Sequence, residues 1–136
     1  MPRLGETLPA LPVADARRSV DFYCDRLGFS KVYAEDGFGI VRRDRAEIHL
    51  WQAADERWRS AFNPERPIDS GAESFLAGTA SCRIAVEGVD ELFAEYADHV
   101  HPNGRLGSTW WGTREFSITD LDSNLITFFE RIDAER

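Results

Sequence analysis

The chain has 136 residues, 43% of them apolar and 12% aromatic, enough for one domain with its own core and unlike a disordered segment. Its formal net charge of −8 argues against a nucleic-acid partner, because phosphate binding needs a basic surface, and is compatible with a cationic ligand. No apolar run reaches the length of a membrane span, and residues 1–6 lack the charged and apolar regions of a secretory signal, so no membrane partner is expected and the expected location is the cytoplasm.

Residues 8–13 read as a strand, with Leu11 and Val13 on the face that meets a helix. Asp15 is a candidate N-cap. After it Ala16, Val20, Tyr23, Cys24 and Leu27 recur at helical spacing and form one apolar stripe. Gly28 suits the left-handed position that closes such a helix. Residues 29–34 form the next strand and Glu35-Asp36-Gly37 a turn. Residues 38–42 and 47–51 follow as strands, with Asp44 and Arg45 between them. Residues 53–78 break the pattern. Pro64, Pro67, Gly71 and Gly78 punctuate them, yet Trp58, Phe62 and Phe75 give more aromatic surface than a passive linker needs. A short helix is expected over residues 54–62.

The first pattern then returns. Residues 80–86 are a strand carrying Cys82, Ile84 and Val86 on one face. A helix over about 90–100 follows, with Leu92, Phe93, Tyr96 and Val100 as its stripe and Pro102 and Gly104 after it. A weak strand covers 105–108, and strands 116–119 and 125–130 complete the set. Cys24 and Cys82 have no metal-type spacing and read as small core residues in a reducing compartment. The chain thus reads β-α-β-β-β, connection, β-α-β-β-β, and placing Val13 on Val86 registers the two halves. The fold class is α+β: a single domain over 1–136, with module one at 7–52, a connection at 53–78 and module two at 79–131.

Strand period assigns the faces. Leu11, Val13, Ile48, Leu50, Ile84, Val86, Ile126 and Phe128 turn to the helices. Glu47, His49, Trp51, Ser81, Arg83, Thr127 and Phe129 turn the other way, onto a face suited to a small molecule. Residues 110–125 organise the chain. If Trp110 and Trp111 share one extended segment, they point to opposite faces, so at most one reaches the core. The other needs a second subunit or a flat ligand, unless both are half-buried packing residues.

Several of these segments together resemble a known family. They are Val13-Ala14-Asp15, Phe22-Tyr23, Arg26-Leu27-Gly28-Phe29, Trp111-Gly112 with Arg114-Glu115-Phe116, and Asp120-x-Asp122-x-Asn124-Leu125. The chain resembles the bleomycin resistance proteins of the glyoxalase, or vicinal-oxygen-chelate, superfamily. The resemblance covers nearly the whole chain except residues 53–78. It implies paired βαβββ modules whose curved mixed sheets surround a cleft. Superfamily enzymes hold a divalent metal there on His, Gln or Glu. The corresponding positions here are Leu8, His49, Ser81 and Thr127, of which only His49 has suitable chemistry. No metal or other cofactor is therefore expected, and no catalysis.

What the resemblance implies instead is sequestration of a cationic, planar antibiotic of the bleomycin type by a homodimer, conferring resistance. Phe38 and Trp111 are the expected stacking pair. Glu35 and Asp36 are expected at the mouth, facing the cationic end. Trp51, His49, Phe62 and Trp110 are further wall candidates, with Gly112 and Arg114 from the tryptophan motif. Residues 1–6 are a candidate exchanged arm. The alternatives are a metal-dependent lyase, isomerase or dioxygenase, or a binder of another small molecule.

Overall fold

A computed structural model describes residues 1–53 and 77–132. The expected helix over 54–62, and Trp58, Phe62 and Phe75, lie outside the described residues.

The first sheet contains β1 (Ala10–Val13), β2 (Ser30–Glu35), β3 (Phe38–Arg43) and β4 (Ala46–Gln52), with α1 (Ala16–Arg26) between β1 and β2. The second contains β5 (Ser81–Ala85), β6 (Gly107–Ser108), β7 (Thr113–Thr119) and β8 (Leu125–Arg131), with α2 (Val89–Glu95) after β5. Their strand orders are β1-β4-β3-β2 and β5-β8-β7-β6. In each, the first strand runs parallel to the last and the remaining pairs are antiparallel. The repeat read from the sequence is thus a repeat of topology, and the α+β fold is the one the resemblance implies.

Local chemistry explains the boundaries. Asp15 caps α1 by accepting from the Arg18 amide at 3.2 Å. Gly28 follows the helix at φ +76°, where any Cβ is costly. β1 begins at Ala10, not at residue 8, and Leu8 lies exposed outside it. α2 ends at Glu95 and continues only as a 3-10 turn, Ala97–His99. The stripe from Leu92 to Val100 therefore spans two kinds of turn.

One core joins the halves. Leu11, Val13, Val20, Tyr23, Leu27, Ile48 and Leu50 from the first half meet Leu92, Tyr96, Phe116, Ile118, Ile126 and Phe128 from the second, all buried. Ile84 and Val86 pack against this core half-buried. Both sheets turn their helix-side faces to this core, so their other faces turn away from it.

The Asp120–Asn124 turn pins the halves together. Asp120 Oδ1 accepts from the amides of Asp122 and Asn124, each at 2.9 Å. Its Oδ2 accepts from the buried Tyr23 hydroxyl at 2.8 Å. Asn124 Nδ2 donates to the Pro12 carbonyl at 2.9 Å, and its Oδ1 accepts from the Ala80 amide at 3.2 Å. Asp122 accepts from the Ala14 amide at 2.9 Å. Asp120, Asp122 and Asn124 thus tie this turn to β1, the loop after it, α1 and the residue before β5, while Asp122 Oδ2 is buried without a partner among the described residues. Burial beside Asp120 pushes the Tyr23 phenol well above its ordinary pKa. Arg43 makes a second staple, donating to the Leu27 carbonyl, Glu95 and the Tyr96 hydroxyl.

Candidate functional site

Register defines the open face of the first sheet. Phe38 pairs with Trp51, Ile40 with His49 and Arg42 with Glu47. Across β2, Glu35 pairs with Phe38 and Tyr33 with Ile40, past a bulge between Lys31 and Tyr33. These side chains form a half-exposed aromatic wall. The Phe38 ring meets His49 edge-on at 5.5 Å and Tyr33 at 6.4 Å. His49 Nε2 lies 3.0 Å from Glu47 Oε2, and Arg42 pairs with the other oxygen of that carboxylate. Hydrogen bonds from Arg42 and then His49 hold the Glu47 carboxyl below its ordinary pKa. Glu35 accepts from the Tyr33 hydroxyl at 2.8 Å. Asp36 pairs with Arg17 at 2.7 Å on the exposed rim.

The open face of the second sheet is different in character. Glu115 pairs with Phe129, Ser117 with Thr127 and Thr113 with Arg131, and Arg83 lies beside Thr127. Arg83 donates to Glu115 at 2.8 Å and lies over the Phe129 ring, 4.8 Å from its centroid. Arg83, with Thr113 as a second donor, holds the Glu115 carboxyl below its ordinary pKa. Ser117 and Thr127 bond each other at 2.7 Å.

Trp110 and Trp111 correct the extended-segment expectation. They occupy a turn between β6 and β7, not a strand. Thr109 and Thr113 flank a three-residue loop in which Gly112 takes φ +92°, a common hairpin form with glycine at the left-handed position. The turn throws both indoles outward. Trp110 is 87% exposed and Trp111 50% exposed, so neither reaches the core. They touch edge-to-face at 5.3 Å.

The sequence candidates therefore fall into separate groups. Phe38, Trp51, His49 and Glu35 share one face, with Asp36 at its rim. Trp110, Trp111 and Gly112 form the hairpin tip on the other sheet. Arg114 stands apart, because its guanidinium is engaged with Asp90 on α2 at 2.8 Å. Phe62 lies outside the described residues. Sequence reading left Tyr33 out, because the bulge in β2 shifts its parity. Strand parity puts Arg83 and Phe129 on the open face without giving them a site, and Glu115, a possible base by residue type, reads more readily as a solvated or salt-bridged strand carboxylate, as it is here with Arg83.

The superfamily metal positions do not fit a divalent cation. Leu8 has no donor and lies exposed outside the strand. Thr127 is tied to Ser117, His49 is tied to Glu47, and Ser81 supplies only a neutral hydroxyl. Among the described residues no cluster of three His, Cys, Asp or Glu side chains is arranged to hold a metal.

The sequence also matches a family model, described as the glyoxalase/bleomycin resistance protein/dioxygenase superfamily, over residues 3–128. The chain belongs to that superfamily. Within it, the chain is 51% identical over 129 residues to a protein of Geobacillus stearothermophilus named bleomycin resistance protein, covering 93% of this chain and 97% of the relative. A protein of the same name from Staphylococcus aureus matches to the same extent. Among solved structures, the bleomycin-binding protein of Streptomyces verticillus complexed with copper(II)-bleomycin superposes with a TM-score of 0.68 at 26% identity, covering 94% of this chain and 97% of that one. These matches span both βαβββ halves of the superfamily fold. Among the described residues no helix is long and apolar enough to cross a membrane.

Proposed function

We propose that this protein binds and sequesters an antibiotic of the bleomycin type, without catalysis and without a metal of its own, and so confers resistance. The observation that carries this reading is 51% identity, across nearly the full length of both chains, to proteins named bleomycin resistance proteins. The site chemistry agrees with it. Half-exposed aromatic rings reward a planar ligand without changing any bond. Glu47, Glu115 and His49, the groups best suited to acid–base chemistry, are each tied into a local pair.

The working unit in this reading is a homodimer. Phe38 and Trp111 lie on different sheets, and both open faces turn away from the shared core. One chain therefore cannot close two walls on the same ligand. A second copy, setting its tryptophan hairpin against the Phe38 face, completes a cleft with Phe38 on one wall and Trp111 at the edge of the other, more polar wall. Covering two half-exposed aromatic faces also favours association. Residues 1–6 are exposed and free to reach the partner as an exchanged arm.

Phe38 and Trp111 then stack on the planar part of the drug, with Trp51 and His49 behind Phe38 and Trp110 beside Trp111. Gly112 holds the turn. Glu35 and Asp36 attract the cationic end at the rim. Arg114 supports the hairpin through Asp90 rather than touching ligand. The protein acts in the cytoplasm, where its two unbridged cysteines are stable.

Growth and recovery of the drug test this reading together. A sensitive strain expressing the protein grows on bleomycin, and the drug recovered from incubation with purified protein has unchanged mass and full potency. Loss of potency with a changed mass would replace sequestration with catalysis.

A further inference from the structure

The open face of the second sheet holds a one-directional hydrogen-bond chain ending at the tryptophan hairpin. Glu115 accepts from Arg83 at 2.8 Å and from the Thr113 hydroxyl at 2.8 Å. An ionised carboxylate is acceptor-only, so Thr113 spends its single hydroxyl proton on Glu115. Thr113 Oγ1 and Thr109 Oγ1 are 2.8 Å apart. With the Thr113 proton committed, Thr109 must be the donor in that pair. Thr109 Oγ1 in turn accepts from the Thr113 amide at 3.1 Å. The Thr109 amide donates to the Thr113 carbonyl at 2.8 Å. Each hydroxyl thus donates once and accepts once, with the Thr113 carbonyl a longer second acceptor for Thr109 at 3.3 Å, and the two threonines clamp the base of the loop that carries Trp110, Trp111 and Gly112. Thr113 is buried and Glu115 nearly so, while both indoles project into solvent. The buried Gly112 is also held by its backbone, donating to the Thr109 carbonyl at 3.4 Å and accepting from the Ile132 amide at 3.1 Å, while the two exposed indoles depend on the turn for their placement.

We propose that Glu115, acting through Thr113 and Thr109, is a positioning residue that fixes the Trp111 indole for stacking. This extends the bleomycin-binding reading, on which its consequence for affinity rests. The carboxylate does not touch ligand. It sets the direction of the threonine hydroxyls, and these set the geometry of the turn. Pre-organising the ring before binding lowers the entropic cost of association. Arg83 keeps the carboxylate in place from the far side, with its own guanidinium over the Phe129 ring.

The test uses the full-length protein with Thr113→Val, Thr113→Ser and Glu115→Gln, each alone and combined with Trp111→Ala. Valine keeps the shape of threonine and removes the hydroxyl. Gln keeps an acceptor for Thr113 but sets an amide donor against Arg83. Indole N–H resonances of the free protein report turn geometry without any ligand. In Thr113→Val the Trp110 and Trp111 indole signals should shift and broaden, with the fold intact by melting, and Thr113→Ser should restore them. In bleomycin titrations Thr113→Val should weaken affinity by about tenfold, the scale of one lost buried hydrogen bond. In the Trp111→Ala background the same change should alter affinity less than twofold, because there is no wall left to position. Unchanged indole signals in either Thr113→Val or Glu115→Gln would overturn the proposal. So would an equal loss of affinity with and without Trp111. If the parent itself fails to bind bleomycin, the proposed function falls, while the indole signals still decide whether the chain positions the turn.

Discussion

Replacing Trp111 with alanine separates a binding wall from a packing residue. The indole is half exposed and stands on a hairpin loop. Half of an aromatic side chain of ~200 Å² leaves ~100 Å² for a ligand, which at about 25 cal/mol per Å² sets an upper limit of ~2.5 kcal/mol. A planar ligand covers one ring face and part of an edge, which brings this to about 2 kcal/mol, or a thirtyfold loss of affinity. The covered half bounds the cost to folding in the same way. Part of that cover is local, from the adjacent Trp110 ring, and persists in the unfolded chain, so the expected cost is about 1 kcal/mol. Calorimetric titration with bleomycin and thermal melting on the same samples measure both quantities. A variant that remains folded and binds as tightly as the parent refutes the assignment. A melting temperature that falls steeply, with affinity lost only as folding fails, also refutes it.

Three further predictions rest on other parts of the molecule. Phe38→Ala should weaken bleomycin affinity by about thirtyfold and Phe38→Tyr by little, since the ring face survives; equal losses in titration would show that the site does not use the ring. Asn124→Ala leaves the Ala80 amide without its partner and the Pro12 carbonyl with only the Gly78 amide at 3.4 Å, in a buried joint, so urea unfolding should show a loss of about 2 kcal/mol; a loss under 1 kcal/mol would mean that the turn does not bind the halves together. Glu47 and Glu115 have carboxyl pKa values held below the ordinary range, so each contributes stability that is present above that range and lost as pH falls through the folded value. Melting temperature should therefore decline below about pH 4, and Glu115→Gln should flatten part of that decline; an unaltered acid limb in that variant would contradict the pairing with Arg83.

Much of this fold is legible in the sequence because local signals and the global pattern agree. Asp15 and Gly28 mark both ends of α1, and period-two alternation puts Ile48, Leu50, Ile126 and Phe128 in the core. Where reading from strand parity fails, a local irregularity is the reason. Two adjacent tryptophans look like strand residues, but the glycine after them signals a three-residue hairpin loop, and the φ of Gly112 follows from it. Tyr33 escapes notice because a bulge shifts its face. Pairings between distant residues are not readable from spacing. Arg114 sits in the tryptophan motif yet is spent on Asp90, and Arg83 meets Glu115 across 32 positions of chain. The Asp120–Asn124 motif is visible as a turn, but its use as the joint between halves depends on Pro12, Ala14 and Tyr23.

The most direct test of sequestration by a paired cleft is calorimetric titration of metal-free protein with bleomycin, with sedimentation of the same sample. The account predicts a dimer at micromolar concentration that binds one drug per chain, through two equivalent clefts. A monomer that binds bleomycin with undiminished affinity, or a dimer that does not bind it at all, would contradict the account.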